Sequence, residues 1–497
     1  MTQMPALFHV DPRDDVGTAL HDLAPGDVID TLLVRQPVAR GHKVAVRPVS
    51  AGSPVLKYGF PIGTAISDIA AGDHVHTHNL STALTGSGDY AYDRKAETAQ
   101  ARGDERTFMG YARGDGWTGG LAGTRNEIWV IPTVGCVART ASKIAERGDA
   151  RHRGKGVDGV HALTHPFGCS QLGDDLDGTA AILAALAQHP NAGGVLLIGL
   201  GCENNQLDAL MGRIDPSAHP RIRTLRAQSA GDELAEGDAL IDDLAAIAAK
   251  AHRSPQPLSA LSIGVKCGGS DGLSGLTANP LVGRMSDRVT IAGGRVILTE
   301  IPEIFGAEHL LMQRADNEAV FDGIVDVVNG FKAYFTAHGE PVSENPSPGN
   351  VAGGITTLEE KSLGAVQKAG RAIVTDVIPY GARVTRPGLT LLEAPGNDAV
   401  SSTALTASGA TIILFTTGRG TPLGFPAPTV KVASNTALAE RKPGWIDFDA
   451  GRVLDCGMET VANDFLDKIV AIASGEQTAA ERNDEREIAI WKRGVTL

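Results

Sequence analysis

Residues 74–79 read HVHTHN and place His74, His76 and His78 on alternate positions, in a chain with 14 histidines among 497 residues. If the stretch is a strand, its period of two turns these imidazoles to one face, with Val75, Thr77 and Asn79 on the other. Imidazoles on one face can share a metal ion, and an unprotonated ring nitrogen can carry a proton. A polar edge strand of three hydrogen-bonded histidines would have the same spacing, so both readings stand.

Cysteines form a second pattern. Cys136 follows VIPTVG, Cys169 follows ALTHPFG, Cys202 follows LLIGLG, and Cys267 follows SIGVK and opens CGGSDG. Each ends an apolar run where a polar, glycine-rich loop begins. In open α/β sheets, ligand sites collect beyond the carboxyl ends of the strands. Any one of these thiols reads equally well as a small buried hydrophobe. Together they can line one pocket, bind iron, or hold a cluster through three or four thiolates. No compact CxxC spacing supports a cluster, and Cys456, in RVLDCG, reads as structural.

The loops beside these runs carry more functional groups than turns require. GTRN supplies Thr124, Arg125 and Asn126; THPFGCSQ supplies Thr164 and His165; GLGCENNQ supplies Glu203. KCGGSDG supplies Lys266, Ser270 and Asp271, while later loops bring Asn350, Glu360 and Asn397. Such groups can pair among themselves. Their surplus of hydroxyls, amides and cations suits a polyhydroxylated acid better than a flat apolar ligand. Neither CGGSDG nor TTGRGT has the spacing of a phosphate loop or dinucleotide fingerprint, so no nicotinamide or ATP site is inferred.

These groups need a scaffold. Residues 1–95 hold short β-prone pieces cut by Gly and Pro, and predict a small, mostly β domain. Residues 96–105 read as a linker. Buried strands at 127–134, 193–200, 262–266 and 410–417 alternate with helices at 178–189 and 231–253. That predicts an α/β region with largely parallel sheets, divided into subdomains at 106–255 and 256–497 near SPQPLSA. A 42% hydrophobic, 21% charged composition is ordinary for a globular protein. A net charge of −13 and only 4% aromatic residues disfavour nucleic-acid binding. No apolar run long enough to span a membrane appears, and the N-terminal stretch lacks a basic-then-apolar signal. Few cysteines in a long chain fit a reduced, cytoplasmic setting.

Ten stretches, among them KYGFPIG, AGDHVHTHNL, GTRNEIWVIPTVGC, GLGCENNQ, KCGGSDGLSGLTANP, LTEIPEIFGAE, NPSPGNVAGGITTLEEKSLG and FTTGRGTPLG, resemble the altronate dehydratase/galactarate dehydratase family over almost the whole chain. One departure is GWTGGLAGTRN, where Trp117 occupies the position of an expected basic residue. The resemblance implies an N-terminal SAF domain of β-clip type on a large α/β catalytic region. It implies a hydro-lyase that takes D-altronate to 2-dehydro-3-deoxy-D-gluconate and water. Galactarate or another sugar acid is the alternative substrate, and a non-catalytic sugar-acid binding protein is the alternative class. It also implies Fe²⁺, with Mn²⁺ or another divalent ion as the alternative; the strand-end cysteines keep an iron–sulfur cluster as a further alternative. The partner expected is a small sugar acid, with a homo-oligomer possible.

The chemistry then assigns parts. Removing the C2 proton builds charge on the substrate carboxylate, and the C3 hydroxyl leaves only when protonated or metal-bound. His165 and His76 are the expected proton carriers, and Lys266 the expected cation beside the developing charge. Arg125, Asn126, Thr164, Ser270, Asp271, Asn350 and Asn397 are expected to hold substrate. His74, His76, Cys169, Cys202 and Glu203 are the expected metal ligands, with His78 orienting the turn into Asn79.

Overall fold

The computed structural model describes residues 5–95, 105–114 and 116–496. Near the N-terminus, strands Leu7–Phe8, Val16–Ala19, Lys43–Ala45 and His74–Val75 form one antiparallel sheet. Pro54–Lys57, Phe60–Ala65 and Leu80–Ser81 form a second. Such short strands need abrupt turns. Gly72 makes one at φ +91°, where an added Cβ would lie 2.0 Å from the Leu33 carbonyl oxygen. The expected small β domain is therefore present.

Of the linker expected at 96–105, only Glu105 lies within the described residues. The run before it is tied to the large region. Tyr90 donates its hydroxyl to Glu308 at 2.5 Å, and Gly88 and Asn329 exchange hydrogen bonds of 3.0 and 3.1 Å.

Two parallel sheets follow. The first runs Gly159–Ala162, Glu127–Pro132, Ala192–Gly199, Ile222–Arg226. The second runs Val374–Ile378, Gly388–Leu392, Arg295–Leu298, Ser262–Cys267, Ile412–Thr417, Thr429–Ala433, Phe448–Asp449. Glu127–Pro132 and Ser262–Cys267 are buried at every residue, as strands covered by helices on both faces must be. The expected subdomain boundary near 254–260 is itself structured: Arg253–Pro257 pairs antiparallel with Thr107–Tyr111.

In each sheet the chain leaves a central strand to one side and returns on the other. Ser262–Cys267 lies between Arg295–Leu298, which follows it directly, and Ile412–Thr417, which comes much later. Helix Ala278–Ile291 buries Leu281, Val282 and Met285 on one face of this sheet. Helix Asp398–Ala407 buries Ala404 and Leu405 with Ile297, Ile413 and Phe415 on the other. That same apolar layer contains Ile182 and Leu186 of helix Gly173–Ala187 and Trp129 and Leu197 of the first sheet, so one core joins the two sheets.

Candidate active site

The reversal of strand order at Ser262–Cys267 opens a crevice at the strand ends. There Lys266 and Cys267 meet Glu300 and Glu303, which follow strand Arg295–Leu298. Glu300 holds a left-handed conformation at φ +68°, rare for a residue with a side chain. Its carboxylate accepts hydrogen bonds from Lys266 Nζ at 2.5 Å and from the Cys267 backbone N–H at 3.0 Å. Lys368 Nζ lies 2.8 Å from Cys267 Sγ and 3.2 Å from Glu300, and Lys361 Nζ lies 2.8 Å from Glu303. Asp398, at the start of its helix, accepts from Lys266 at 2.8 Å.

The donor atoms of Cys267, Glu300 and Glu303 lie within 4.8 Å of one another, a group able to hold a divalent ion. A thiolate with two carboxylates fits such an ion in donor number and chemistry. Three ammonium groups now use those lone pairs, so metal entry would displace the Lys368 contact and release the thiol proton. Burial pushes the Cys267 thiol up to about 12, with Lys368 opposing and Glu300 and Glu303 reinforcing the shift. Burial works against the charge on Lys266, but Glu300 and Asp398 outweigh it and hold its pKa above the ordinary lysine value. Lys266 is thus held protonated by these carboxylates, suited to stabilising charge rather than taking a proton.

Two clefts approach this crevice. One, of about 480 Å³, is lined in part by Pro302, Glu344, Asn345 and Asn397. Asn345 reaches inward, accepting from Lys361 at 2.9 Å and facing Glu303 at 3.5 Å. The other, also about 480 Å³, lies between the small domain and the second sheet and presents Arg40, Arg419 and Arg441 around Asp271 and Gly353.

HVHTHN is not a six-residue strand. The strand stops at Val75, and Asn79 folds the rest into a turn. Asn79 Oδ1 accepts from the His76 N–H at 3.0 Å, and its amide donates to the His74 carbonyl at 3.0 Å. The turn is therefore oriented by Asn79 itself, while His78 is exposed. The imidazoles still gather. Ring centroids lie 5.4 Å apart for His74 and His76 and 5.5 Å for His74 and His78. His42 joins them, its Nδ1 3.1 Å from His74 Nε2. His76 Nε2 donates to the Val351 carbonyl at 3.1 Å, which ties the turn to the large region. Burial, with the neighbouring imidazoles, lowers His74 to about 3; burial, with Lys43, lowers His76 to about 4. Both rings are neutral near pH 7, but His76 Nδ1 accepts from the Thr77 N–H at 2.8 Å while its Nε2 is taken by Val351, so neither His76 nitrogen is free for the expected proton transfer or metal ligation.

The small domain also sends two buried lysines into the large region. Lys43 and Lys57 each donate to Glu360 at 2.8 Å, and Lys43 also reaches the Gly354 carbonyl and Thr356 hydroxyl at 2.8 Å. Glu360 opens helix Leu358–Ala365, capped by Thr357. Its neighbours point elsewhere: Glu359 accepts from Thr82 and Ala83, and Lys361 meets Glu303. Three successive side chains thus tie two parts of the small domain, through Glu359 and Glu360, and the buried cluster, through Lys361, to one helical turn.

The other expected site residues divide by location. Arg125 and Asn126 precede strand Glu127–Pro132, at its entry end and away from the strand-exit loops. Arg125 is saturated by Glu481, at 2.6 and 2.8 Å, and by the carbonyls of Thr124, Ile472 and Glu476. Asn126 donates to the Gly156 and Ala248 carbonyls. Both hold the fold where a substrate clamp was expected. His165 is buried, with Nε2 donating to Pro132 O at 2.8 Å and Nδ1 accepting from Phe167 N at 3.2 Å, so neither nitrogen is free for proton transfer. Thr164 lines a separate polar cleft with His161 and Arg486. Cys169, Cys202 and Glu203 follow strands of the first sheet, whereas His74 and His76 belong to the small domain; among the described residues these five are not gathered as a metal-ligand group. Glu203 spends its carboxylate on Thr133 and the Leu200 and Gly201 N–H groups.

Ser270, Asp271 and Asn350 do come together near the second crevice: Asn350 donates to Ser270 O at 2.8 Å, and Asp271 accepts from Ser274 and Ser434 at 2.8 Å. Asn397 caps helix Asp398–Ala407 and lines the first cleft. Sequence reasoning missed Glu300, Glu303, Lys368 and His42 as site residues. The signal for the glutamates was two carboxylates inside the apolar run LTEIPEIFG directly after a buried strand.

Residues 5–83 match the family described as altronate/galactarate dehydratase SAF domain, residues 110–252 the D-galactarate dehydratase/altronate hydrolase second domain, and residues 258–496 the D-galactarate/altronate dehydratase C-terminal domain. An altronate dehydratase of Escherichia coli (strain K12) is 50% identical, over 97% of this chain and 98% of that protein. One from Bacillus subtilis (strain 168) is 48% identical, over 99% of this chain and all of that protein. A galactarate dehydratase (L-threo-forming) of Escherichia coli (strain K12) is 34% identical, over 96% of this chain and 94% of that protein.

Proposed function

The chain belongs to the altronate/galactarate dehydratase family, and from that membership we propose that it is a hydro-lyase converting D-altronate to 2-dehydro-3-deoxy-D-gluconate and water. The observation that carries the chemistry is the buried Cys267–Glu300–Glu303 group ringed by Lys266, Lys361 and Lys368 at the strand-end crevice.

Loss of the C2 proton loads negative charge onto the substrate carboxylate. Fixed ammonium groups in a water-poor site stabilise that charge without reorganising, which is where preorganised electrostatics lowers a barrier most. Lys266 supplies a cation held protonated in this reading. Lys361, beside Asn345 at the cleft, is the donor placed to protonate the departing C3 hydroxyl. Cys267, Glu300 and Glu303 would hold Fe²⁺, or Mn²⁺ in its place, which supplies Lewis-acid polarisation when bound. The neutral His74 and His76 lie on the small domain where it meets Val351 of helix Pro348–Ala352, and we assign them to the cover of the same site. Arg40, Arg419 and Arg441 suit the carboxylate of a sugar acid.

The test is anaerobic turnover of the full chain on a panel of aldonates and aldarates, with and without Fe²⁺. Formation of the 2-keto-3-deoxy acid from D-altronate, strongest with iron, is the expected result. Preference for galactarate would move the assignment to the other branch, and no turnover on any sugar acid after iron loading would defeat it.

A further inference from the structure

We propose that Cys136, Cys169 and Cys202 form a three-thiolate site for an iron–sulfur cluster at the strand ends of the first sheet, separate from the Cys267 group.

Each of these cysteines follows a glycine: Gly135, Gly168 and Gly201. The three Gly-Cys pairs lie beyond the ends of three adjacent parallel strands, with Glu127–Pro132 in the middle. Adjacent strands lie about 4.8 Å apart, so thiols carried by all three can surround a small inorganic core. Pro132 is in register with Ile198, and Cys136 and Cys202 each stand four residues beyond those partners. The Cys169 loop is longer, and hydrogen bonds fold it back beside the others.

Those bonds close a triangle. The Gly135 N–H donates to the Phe167 carbonyl at 2.8 Å, joining the first two loops. The Ser170 N–H donates to Asn204 at 2.8 Å and the Asn205 N–H to the Gly168 carbonyl at 3.0 Å, joining the second and third. Thr133 donates to Glu203 at 2.7 Å, and the Asn205 amide to the Thr133 carbonyl at 3.1 Å, joining the third to the first. Gly168 and Gly201 have φ of +102° and +133°, so the chain turns sharply just before two of the thiols. Packing does not explain these cysteines, because all three are exposed, whereas Cys267 is buried. Their hydrogen bonding is slight: Cys202 Sγ accepts from Gln228 Nε2 at 3.6 Å, and Ser170 Oγ lies 3.9 Å from Cys169 Sγ. A soft, sulfide-rich iron core takes three thiolates from such neighbouring loops, each losing its proton on ligation. With three protein thiolates, one iron of a four-iron core would be left open to a non-protein ligand such as water.

The proposal rests on thiol placement and does not depend on the dehydratase reading. The full chain is purified and reconstituted anaerobically with equal amounts of ferrous and ferric iron and with sulfide, then assayed for iron, acid-labile sulfide, visible absorbance and, after chemical reduction, the electron paramagnetic resonance of a cluster. The expected result is matched iron and sulfide in the wild type and in Cys456→Ser, and loss of sulfide and spectrum in Cys136→Ser, Cys169→Ser and Cys202→Ser. Thermal unfolding checks that these surface variants remain folded. Iron without sulfide in the wild type, or a cluster that persists when all three are serine, would overturn the proposal. Keto-acid formation is measured in parallel. Its absence beside an intact cluster sinks the dehydratase reading alone.

Discussion

Lys361 differs from the other two lysines of the buried cluster in touching Asn345, a wall of the cleft. Removing one preorganised donor to developing charge commonly lowers turnover by roughly 100- to 1000-fold. Lys361→Met is therefore expected to lose about that much in kcat with little change in KM, read by steady-state kinetics on a folded variant. A pure KM effect would assign the residue to ground-state binding instead. His74 makes a pH prediction. Its folded pKa, about 3, lies below the ordinary 6.5, so the unfolded chain binds the proton more tightly and stability falls as pH drops from 6.5 towards 3. His74→Ala should flatten that part of the melting-midpoint profile, and an unchanged slope would refute the assignment. At this scale the sequence was half readable. The alternation in HVHTHN announced a histidine cluster, but His42, thirty-two residues earlier, completes it through sheet pairing that no local pattern reveals.

At the scale of elements, apolar continuity was the dependable signal. Runs such as EIWVIP and IILFTT are strands because parallel sheets covered on both faces bury every position. Polar loops misled because both ends of a strand carry them. Thr124–Asn126 looked like a substrate clamp, yet it enters a strand, and sites form where strands exit. Glu300 and Glu303 escaped notice because their partners, Lys361 and Lys368, arrive some sixty residues later on another helix. The strand-exit loops of the first sheet are intolerant of side chains at their glycines. A Cβ on Gly168 would lie 2.1 Å from the Thr133 carbonyl oxygen, at φ +102°. Gly168→Ala should thus lower stability by about 1–3 kcal/mol in chemical denaturation. A neutral outcome would mean that the loop can leave Thr133 freely.

For the whole molecule, the decisive contact is Glu360 between Lys43 and Lys57, all three buried. Burial opposes the Glu360 charge, but the two lysines outweigh it and hold its pKa down at about 2. Glu360→Leu strands two ammonium groups in the core and should cost about 3–5 kcal/mol, measured by denaturant titration. Adding Lys43→Met and Lys57→Met should recover most of that loss, since an apolar triad of similar volume often matches a buried ionic one. Failure of the triple variant to recover would mean that the lysines hold more than Glu360. Among the described residues no helix is long and apolar enough to cross a membrane. The Glu360 contact also sets an order of manufacture. Lys43 and Lys57 precede their shared carboxylate by 317 and 303 residues. A ribosome adding roughly 5–20 residues per second leaves these ammonium groups without their counter-charge for about 15–60 s. The small domain, made earlier, is thus completed only once helix Leu358–Ala365 has been made.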